Sequence, residues 1–222
     1  MATDALDRLR AAIAGLELDS ARATFNPPAT VQQLEKAEAQ LGIQLPDAVR
    51  ELYLCCDGMN YEFAHPEQVN RTLPLLFDGR ANWASLELMV DQWQTDRDIA
   101  ETWDPELDGE PMPGFFTQPT QFNVRWVPIG RGNSRGVVYL DLDPSPAGLY
   151  GQLFDFDYVM HRHNKRLAES FPAYLEQLAY CIERQLIVPD NGLWSDTKTG
   201  KCVVKLWDVT GPDWQPAMGR DS

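Results

Sequence analysis

The sequence is poor in the residues from which catalytic and metal sites are usually built. It has three His and four Cys in 222 residues, and the cysteines lack the paired C-x-x-C spacing of a zinc site. The pattern G-x-S-x-G occurs once, at Gly132-Asn133-Ser134-Arg135-Gly136, but a strand is predicted to follow it, whereas the motif that exposes a nucleophilic serine lies between a strand and a helix. We therefore expect no cofactor, no metal and no enzymatic activity. The cysteines are interpreted as reduced thiols of the core; they are Cys55, Cys56, Cys181 and Cys202.

Long apolar runs are missing as well, and basic residues are few. The amphipathic start, with Asp4, Asp7 and Arg8, has neither the basic region of a signal peptide nor a membrane-length apolar stretch, so we expect a cytoplasmic protein. Acidic residues number 33 against 19 basic ones, a net charge of −14. Such a charge repels phosphate backbones and anionic lipid surfaces. We expect no direct nucleic-acid partner and no membrane partner, and a protein partner should be basic.

Hydrophobic residues make up 44% of the chain, enough for a sizeable core. Helical spacing predicts a first helix ending near Gly15, and a second between the N-cap Thr30, in a capping box with Gln33, and Gly42. A third helix is predicted to begin at Pro46 and end at Asp57-Gly58. The positions predicted to be buried on these helices are Leu6, Leu9, Ile13, Leu16, Val31, Leu34, Ala37, Leu41, Val49, Leu52, Tyr53 and Cys56.

A longer helix behind Ser85 carries the most informative charge pattern. Leu86, Met89, Trp93 and Ala100 share one face, and acidic residues gather on the opposite face, although Asp96 falls nearer the apolar side. The segment from 87 to 110 holds nine acidic residues and one basic residue, Arg97. It is either a solvated face or a docking surface for a basic protein. The residues of this predicted surface are Glu87, Asp91, Asp98, Glu101, Trp103, Asp104, Glu106, Asp108 and Glu110, with Phe115-Phe116 as further apolar anchors.

Strand-like patterns dominate the second half of the chain. Segments 124–129, 136–142 and 149–156 are separated by turn residues, which predicts an antiparallel meander, and a short strand is predicted at 73–77. The glycine-rich segment 130–136 is interpreted as a hairpin turn, and His161-Arg162-His163 as a polar loop. A helix from Ser170 is predicted to end at Pro189-Asp190-Asn191-Gly192, before a strand at 202–206. Its predicted inward positions are Phe171, Tyr174, Leu175, Leu178, Ile182 and Leu186.

Four aspartates at the predicted strand ends form a second candidate site. Asp141 and Asp143 follow one strand, and Asp155 and Asp157 repeat the spacing on the next. Carboxylates in this pattern favour a turn, a partner-binding edge, or a site for a divalent cation or an acid/base pair. No lysine, histidine or phosphate loop stands at a spacing that completes a metal-dependent enzyme site, so that class stays a third hypothesis.

Two separated segments together resemble the SUKH superfamily, which contains bacterial immunity proteins and fungal cell-wall-assembly regulators. The first is the helix-loop-helix 34–58 with Leu41-Gly42-Ile43-Gln44-Leu45-Pro46 at its centre. The second combines Trp126-Val127-Pro128-Ile129-Gly130, Tyr139-Leu140-Asp141-Leu142-Asp143-Pro144 and Gly151-Gln152-Leu153-Phe154, and a closing helix follows at 171–178.

This resemblance implies an α+β fold in which helices pack on a twisted, mainly antiparallel sheet. We expect an N-terminal helical extension at 1–29, the SUKH-like domain at 30–188 and a C-terminal extension at 189–222. The family implies an immunity protein that neutralises a cognate toxin, often a nuclease, by stoichiometric binding. The alternative is a regulatory scaffold that binds a host signalling protein, as in the fungal branch. The sequence leaves the oligomeric state open.

Overall fold

The computed structural model describes residues 1–16, 18, 23–61, 74, 76–77, 81–102, 122–132, 136–157, 162–190, 192–203 and 206–211. Helices and a five-stranded antiparallel sheet form the fold, which confirms the α+β prediction. The helices are α1 (Ala2–Ala14), α2 (Val31–Leu41), α3 (Asp47–Cys55), α4 (Leu86–Thr102), α5 (Phe171–Glu183) and α6 (Leu206–Thr210). The strands are β1 (Ala23–Phe25), β2 (Met59–Tyr61), β3 (Ala81–Trp83), β4 (Trp126–Gly132), β5 (Gly136–Asp141), β6 (Gln152–Asp157), β7 (Arg162–Ala168), β8 (Ile187–Asp190) and β9 (Leu193–Asp196).

The five-stranded sheet has the order β3-β4-β5-β6-β7, and every neighbouring pair is antiparallel. Strands β4, β5 and β6 confirm the predicted meander. Of the segment 130–136 that was interpreted as a hairpin turn, residues 130–132 belong to β4 and Gly136 to β5, while 133–135 lie outside the described residues. Strand β7 was missed: Arg162 and His163 lie in it rather than in a polar loop, and His161 lies outside the described residues. The strand predicted at 73–77 is wrong for its described part, since Phe77 forms only an isolated bridge with Ala81.

The two faces of this sheet belong to two apolar clusters. On one face Val127, Val138, Leu140 and Leu153 join the main core with the helices. The other face carries an outer cluster of buried side chains, with the Tyr139 and Phe154 rings stacked at a centroid distance of 5.4 Å. The members of this outer cluster are Trp126, Val137, Tyr139, Phe154 and Phe156. The sheet is therefore buried on both sides, which fits the aromatic and β-branched runs of its central strands.

Local signals set the boundaries of α2 and α3. The Thr30 and Gln33 side chains form the predicted capping box, and Gly42 ends α2 in a left-handed conformation with φ of 65°. All predicted inward residues of α3 are buried. The prediction for Val31 is wrong: its side chain is 52% exposed. It lies in the first turn, about 60° around the helix from the buried Leu34.

Helix α5 is enclosed on all sides. Eleven of its thirteen residues are buried, including Glu176 and Gln177, because α1, α3, β7, β8 and α6 all pack against it. Such a helix needs apolar residues around its whole circumference. The Arg8 guanidinium donates to both carboxylate oxygens of Glu183, at 2.9 and 2.6 Å, and so joins α1 to α5.

The predicted end of α5 is wrong. The helix ends at Glu183, and Pro189 and Asp190 belong to β8, which forms a hairpin with β9 across the turn at Gly192. The strand predicted at 202–206 is also absent from its described part. Cys202 makes an isolated bridge to Ser195, and Leu206 begins α6.

All four cysteines are free thiols. Burial raises the pKa of Cys56 to about 11 and that of Cys181 to about 12, so both are protonated core residues as predicted. The prediction is wrong for Cys202, which is exposed, and Cys55 is half-buried.

Candidate protein-binding site

The start of α4 is fixed to the end of α3 by a carboxylate. The Leu86 amide donates to Asp57 Oδ1 at 2.8 Å, and the Leu88 amide donates to Ser85 Oγ at 3.3 Å. Both acceptors satisfy amides that the first helical turn leaves without an internal partner. Burial raises the pKa of Asp57, while its bond to the Leu86 amide acts in the opposite direction. The first turn of α4 is therefore tied to the helix-loop-helix beside it.

The inner face of α4 is anchored in the core. Leu86, Met89, Val90 and Trp93 are buried, and the Trp93 indole donates to the Val124 carbonyl at 2.9 Å. This contact ties the middle of the helix to the segment that leads into β4. The predicted apolar face is confirmed, although Ala100 is only half-buried.

The hydrogen bonds of Asp96 explain why an acidic residue lies near the apolar face of α4. Asp96 lies among the buried residues of α4 and accepts hydrogen bonds from the Tyr139 hydroxyl at 2.7 Å and from the Gln92 amide at 2.9 Å. The acid thus links the helix to the outer cluster of the sheet. Helical spacing places Asp96 near the apolar side of α4, but it does not predict the bonding partner Tyr139, which is 43 residues away in the chain.

The opposite face of α4 carries the predicted charges. Glu87, Asp91, Asp98 and Glu101 are all exposed, and we call these four residues the acidic ridge. Their positions span about 21 Å along the helix axis at 1.5 Å per residue. The nearby cation is Arg97, whose guanidinium lies 3.8 Å from Asp98. The ridge is a row of exposed carboxylates on a helix whose opposite face is buried in the core.

The loop half of the predicted surface lies outside the described residues. This applies to Trp103, Asp104, Glu106, Asp108 and Glu110, and to Phe115 and Phe116. Their part in binding stays a prediction from the sequence.

The strand-end aspartates have separate structural environments. Asp141 is fully buried and accepts from the Gln152 amide at 2.9 Å and from the Asp143 backbone amide at 3.0 Å. Burial raises its pKa. Asp143 is half-buried and accepts from the Asn123 side chain at 2.9 Å. Asp141 therefore lies beneath the surface, where its carboxylate is not accessible to a partner.

The strand register separates Asp141 from Asp155. Asp141 pairs with Trp126 of the outer cluster, whereas Asp155 pairs with Val138 of the main core. Paired residues point to the same face of a sheet, so these two carboxylates project to opposite faces. Asp157 is a strand residue whose side chain lies outside the description. Within the described part of the chain, no group of three or more His, Cys, Asp or Glu residues could hold a metal ion.

A comparison with protein families shows which family the chain belongs to. The family described as SMI1 / KNR4 (SUKH-1) matches residues 28–177. The chain belongs to this family. A search of curated proteins found no match. Membership in SUKH-1 confirms the resemblance to the SUKH superfamily and supports a function of the immunity type or a related one.

The SUKH-1 match has clear limits within the fold. It runs from just before α2 into α5 and so includes α4 and the five-stranded sheet, whereas α1, β1, β8, β9 and α6 lie outside it. Among the helices that the structure describes, none is both long and apolar enough to cross a membrane.

Proposed function

We propose that this SUKH-1 protein is a cytoplasmic immunity protein that binds and neutralises a cognate toxin, secreted or delivered by contact, without catalysing a reaction. The observation that carries the proposal is the acidic ridge, in which Glu87, Asp91, Asp98 and Glu101 are exposed along one face of α4. Its partner is a basic toxin domain, with a nuclease as the leading candidate.

Electrostatic complementarity supports this partner chemistry. Enzymes that act on polyanions present Lys and Arg along the groove that binds the substrate backbone. A row of fixed carboxylates attracts such a groove, raises the association rate and disfavours acidic competitors. Once bound, the acidic protein occupies the place of the substrate, so inhibition needs no turnover.

The anchoring of α4 supports binding by a rigid surface. Asp57 fixes the first turn, Trp93 the middle, and Asp96 the later part of the helix. Little conformational freedom is then lost when a partner binds, and more of the interaction energy appears as affinity.

Co-expression with the polypeptide encoded by the neighbouring gene tests the proposal. We expect the chain to restore growth of cells that express this polypeptide, and the two proteins to copurify in a fixed stoichiometry. Copurification without any effect on growth would contradict neutralisation and favour the regulatory scaffold. Turnover of a substrate by the purified chain would contradict the non-enzymatic proposal.

Charge reversal tests the ridge itself. The variant Glu87→Lys, Asp91→Lys, Asp98→Lys, Glu101→Lys is expected to lower the association rate constant toward that toxin at least about tenfold at low salt. The difference should shrink as salt is added, because exposed charges are screened. Stopped-flow mixing at several ionic strengths measures both effects.

A matched control keeps the net charge constant. Glu35→Lys, Glu51→Lys, Glu169→Lys and Asp208→Lys change the charge equally at exposed positions on other parts of the surface. If both variants slow association to the same extent, net charge alone drives the encounter and the ridge has no special role.

A further inference from the structure

A cleft borders the acidic ridge on α4. It is small and open, with a volume of about 40 Å³ for water-sized molecules within about 340 Å³ of empty space that includes its mouth, and it lies between the second half of α4, the segment before β4, and the outer face of the sheet. Four of its lining side chains are aromatic: Trp93, Phe122, Trp126 and Tyr139. Val124, at its rim, is 56% exposed, although it is a large apolar residue. The cleft thus combines apolar walls with an apolar rim open to solvent.

Arg97 joins the cleft to the ridge. It lines the cleft with its guanidinium 5.4 Å from the centre of the Trp93 ring, and the same group lies 3.8 Å from Asp98. Ala100, one turn further along, also lines the cleft, whereas its neighbour Glu101 belongs to the ridge. A partner that contacts the last two carboxylates of the ridge therefore reaches the cleft as well.

We infer that this cleft receives the end of an aliphatic side chain of the partner, which is flanked on the partner's surface by Lys or Arg. This inference rests on the proposed function, because the basic partner is the one that the ridge selects. The cations contact Asp98 and Glu101, and the apolar side chain enters between Trp93, Ala100 and Phe122. Exposed charges mainly set the association rate, whereas buried apolar anchors mainly set the dissociation rate.

The walls of the cleft are held by the core rather than by the partner. Trp93 is fixed by its bond to the Val124 carbonyl, and Tyr139 by its bond to Asp96. An incoming side chain would meet a shape that exists before binding, which is the arrangement found at the centres of strong interfaces.

Two variants test the cleft against the toxin encoded by the neighbouring gene. Ala100→Phe places a ring where the partner side chain would lie, and Val124→Ser removes the apolar rim. We expect each to raise the dissociation rate constant about tenfold or more, while the association rate constant changes less than about twofold. Surface plasmon resonance measures both constants, and thermal unfolding verifies that each variant is folded.

Val31→Ser is the matched control, since Val31 is 52% exposed on α2 and lies outside the cleft. It should leave both rate constants unchanged. If the wild-type chain binds and the ridge variant slows association, but Ala100→Phe and Val124→Ser dissociate like the wild type, the cleft proposal is wrong and the proposed function stands. If the wild-type chain does not bind this toxin, the proposed function fails, and the inference fails with it.

Discussion

Gly58 shows how one backbone position holds two segments of the fold together. It has φ of +73°, and a Cβ atom there would lie 2.6 Å from the backbone carbon of Ala84, just before α4. Its carbonyl accepts from the Asn26 amide, so the same residue also contacts the segment before α2. No side chain fits this place without movement of the backbone.

Comparing Gly42 with Gly58 distinguishes the cost of a left-handed backbone conformation from the cost of a steric clash, because the two glycines have similar φ angles. Gly42 has φ of +65°, and a Cβ atom there would meet nothing within 4 Å. Gly42→Ala is therefore expected to lower the free energy of unfolding by about 1–2 kcal/mol, the cost of the left-handed conformation. Gly58→Ala adds the clash with Ala84, and we expect a total loss of about 2–5 kcal/mol.

Urea unfolding followed by tryptophan fluorescence measures both losses. Equal losses at the two positions would show that the segment before α4 moves away freely. The start of α4 would then be less firmly held than the contacts of Asp57 indicate.

At the scale of elements, the ion pair between Arg8 and Glu183 joins the first helix to the fifth. The hydrogen bonds from Arg8 lower the pKa of Glu183. A carboxylate whose pKa is lower in the folded state adds stability at pH values above its unfolded pKa. This contribution is lost as the pH falls through the folded pKa.

The variant Glu183→Gln removes this contribution. Both side chains are more than a third exposed, so we expect a loss of at most about 1 kcal/mol at pH 7. The difference from the wild type should vanish in acid, below the pKa of Glu183. Urea unfolding between pH 3 and pH 7 measures it; a difference that stays constant over this range would contradict the electrostatic origin.

The sequence predicts an element well when nearby residues mark its ends. It does not predict an element whose formation depends on distant residues. The capping box at Thr30 and the stop at Gly42 lie within a few residues of the helix they delimit. In β7, two bulges disturb the pairing with β6, and basic residues break the apolar alternation that identifies a strand. Pro189 was read as the end of a helix, because a proline that ends a helix and one that lies in a short hairpin give the same local signal.

The candidate site shows the same division. Helical spacing placed Glu87, Asp91, Asp98 and Glu101 together, since residues on one helix face follow from the period alone. The burial of Asp141, by contrast, depends on Gln152 of the next strand, which donates a hydrogen bond to it, and on the packing of other segments around it. The cleft depends on α4, the segment before β4 and the sheet at once, so no single stretch of sequence contains it.

At the scale of the whole molecule, the additions outside the SUKH-1 match share the core. Leu6 and Leu9 of α1, Trp194 of β9 and Leu206 of α6 belong to the same apolar cluster as α5. The domain boundaries predicted after residue 29 and before residue 189 stay predictions. The segments outside them help to bury α5, since α1 and α6 both pack against it.

Removal of residues 1–16 tests whether α1 is an appendage. Because α1 packs on α5 and α3, its loss would expose apolar surface on both helices. We expect the shortened chain to unfold at a temperature at least about 5 °C lower and to aggregate more readily. Differential scanning calorimetry and light scattering measure these changes; an unchanged midpoint would show that residues 17–222 fold on their own.

The contact between Arg8 and Glu183 spans 175 residues of sequence, and this separation has a consequence for biosynthesis. A ribosome adds about 5–20 residues per second, so the first helix leaves the exit tunnel about 10–30 seconds before its partner helix has been made. During that time the apolar side of the nascent segment has no native surface to cover it. The docking of this helix against its partner is therefore expected late in folding, only after the fifth helix has emerged from the ribosome.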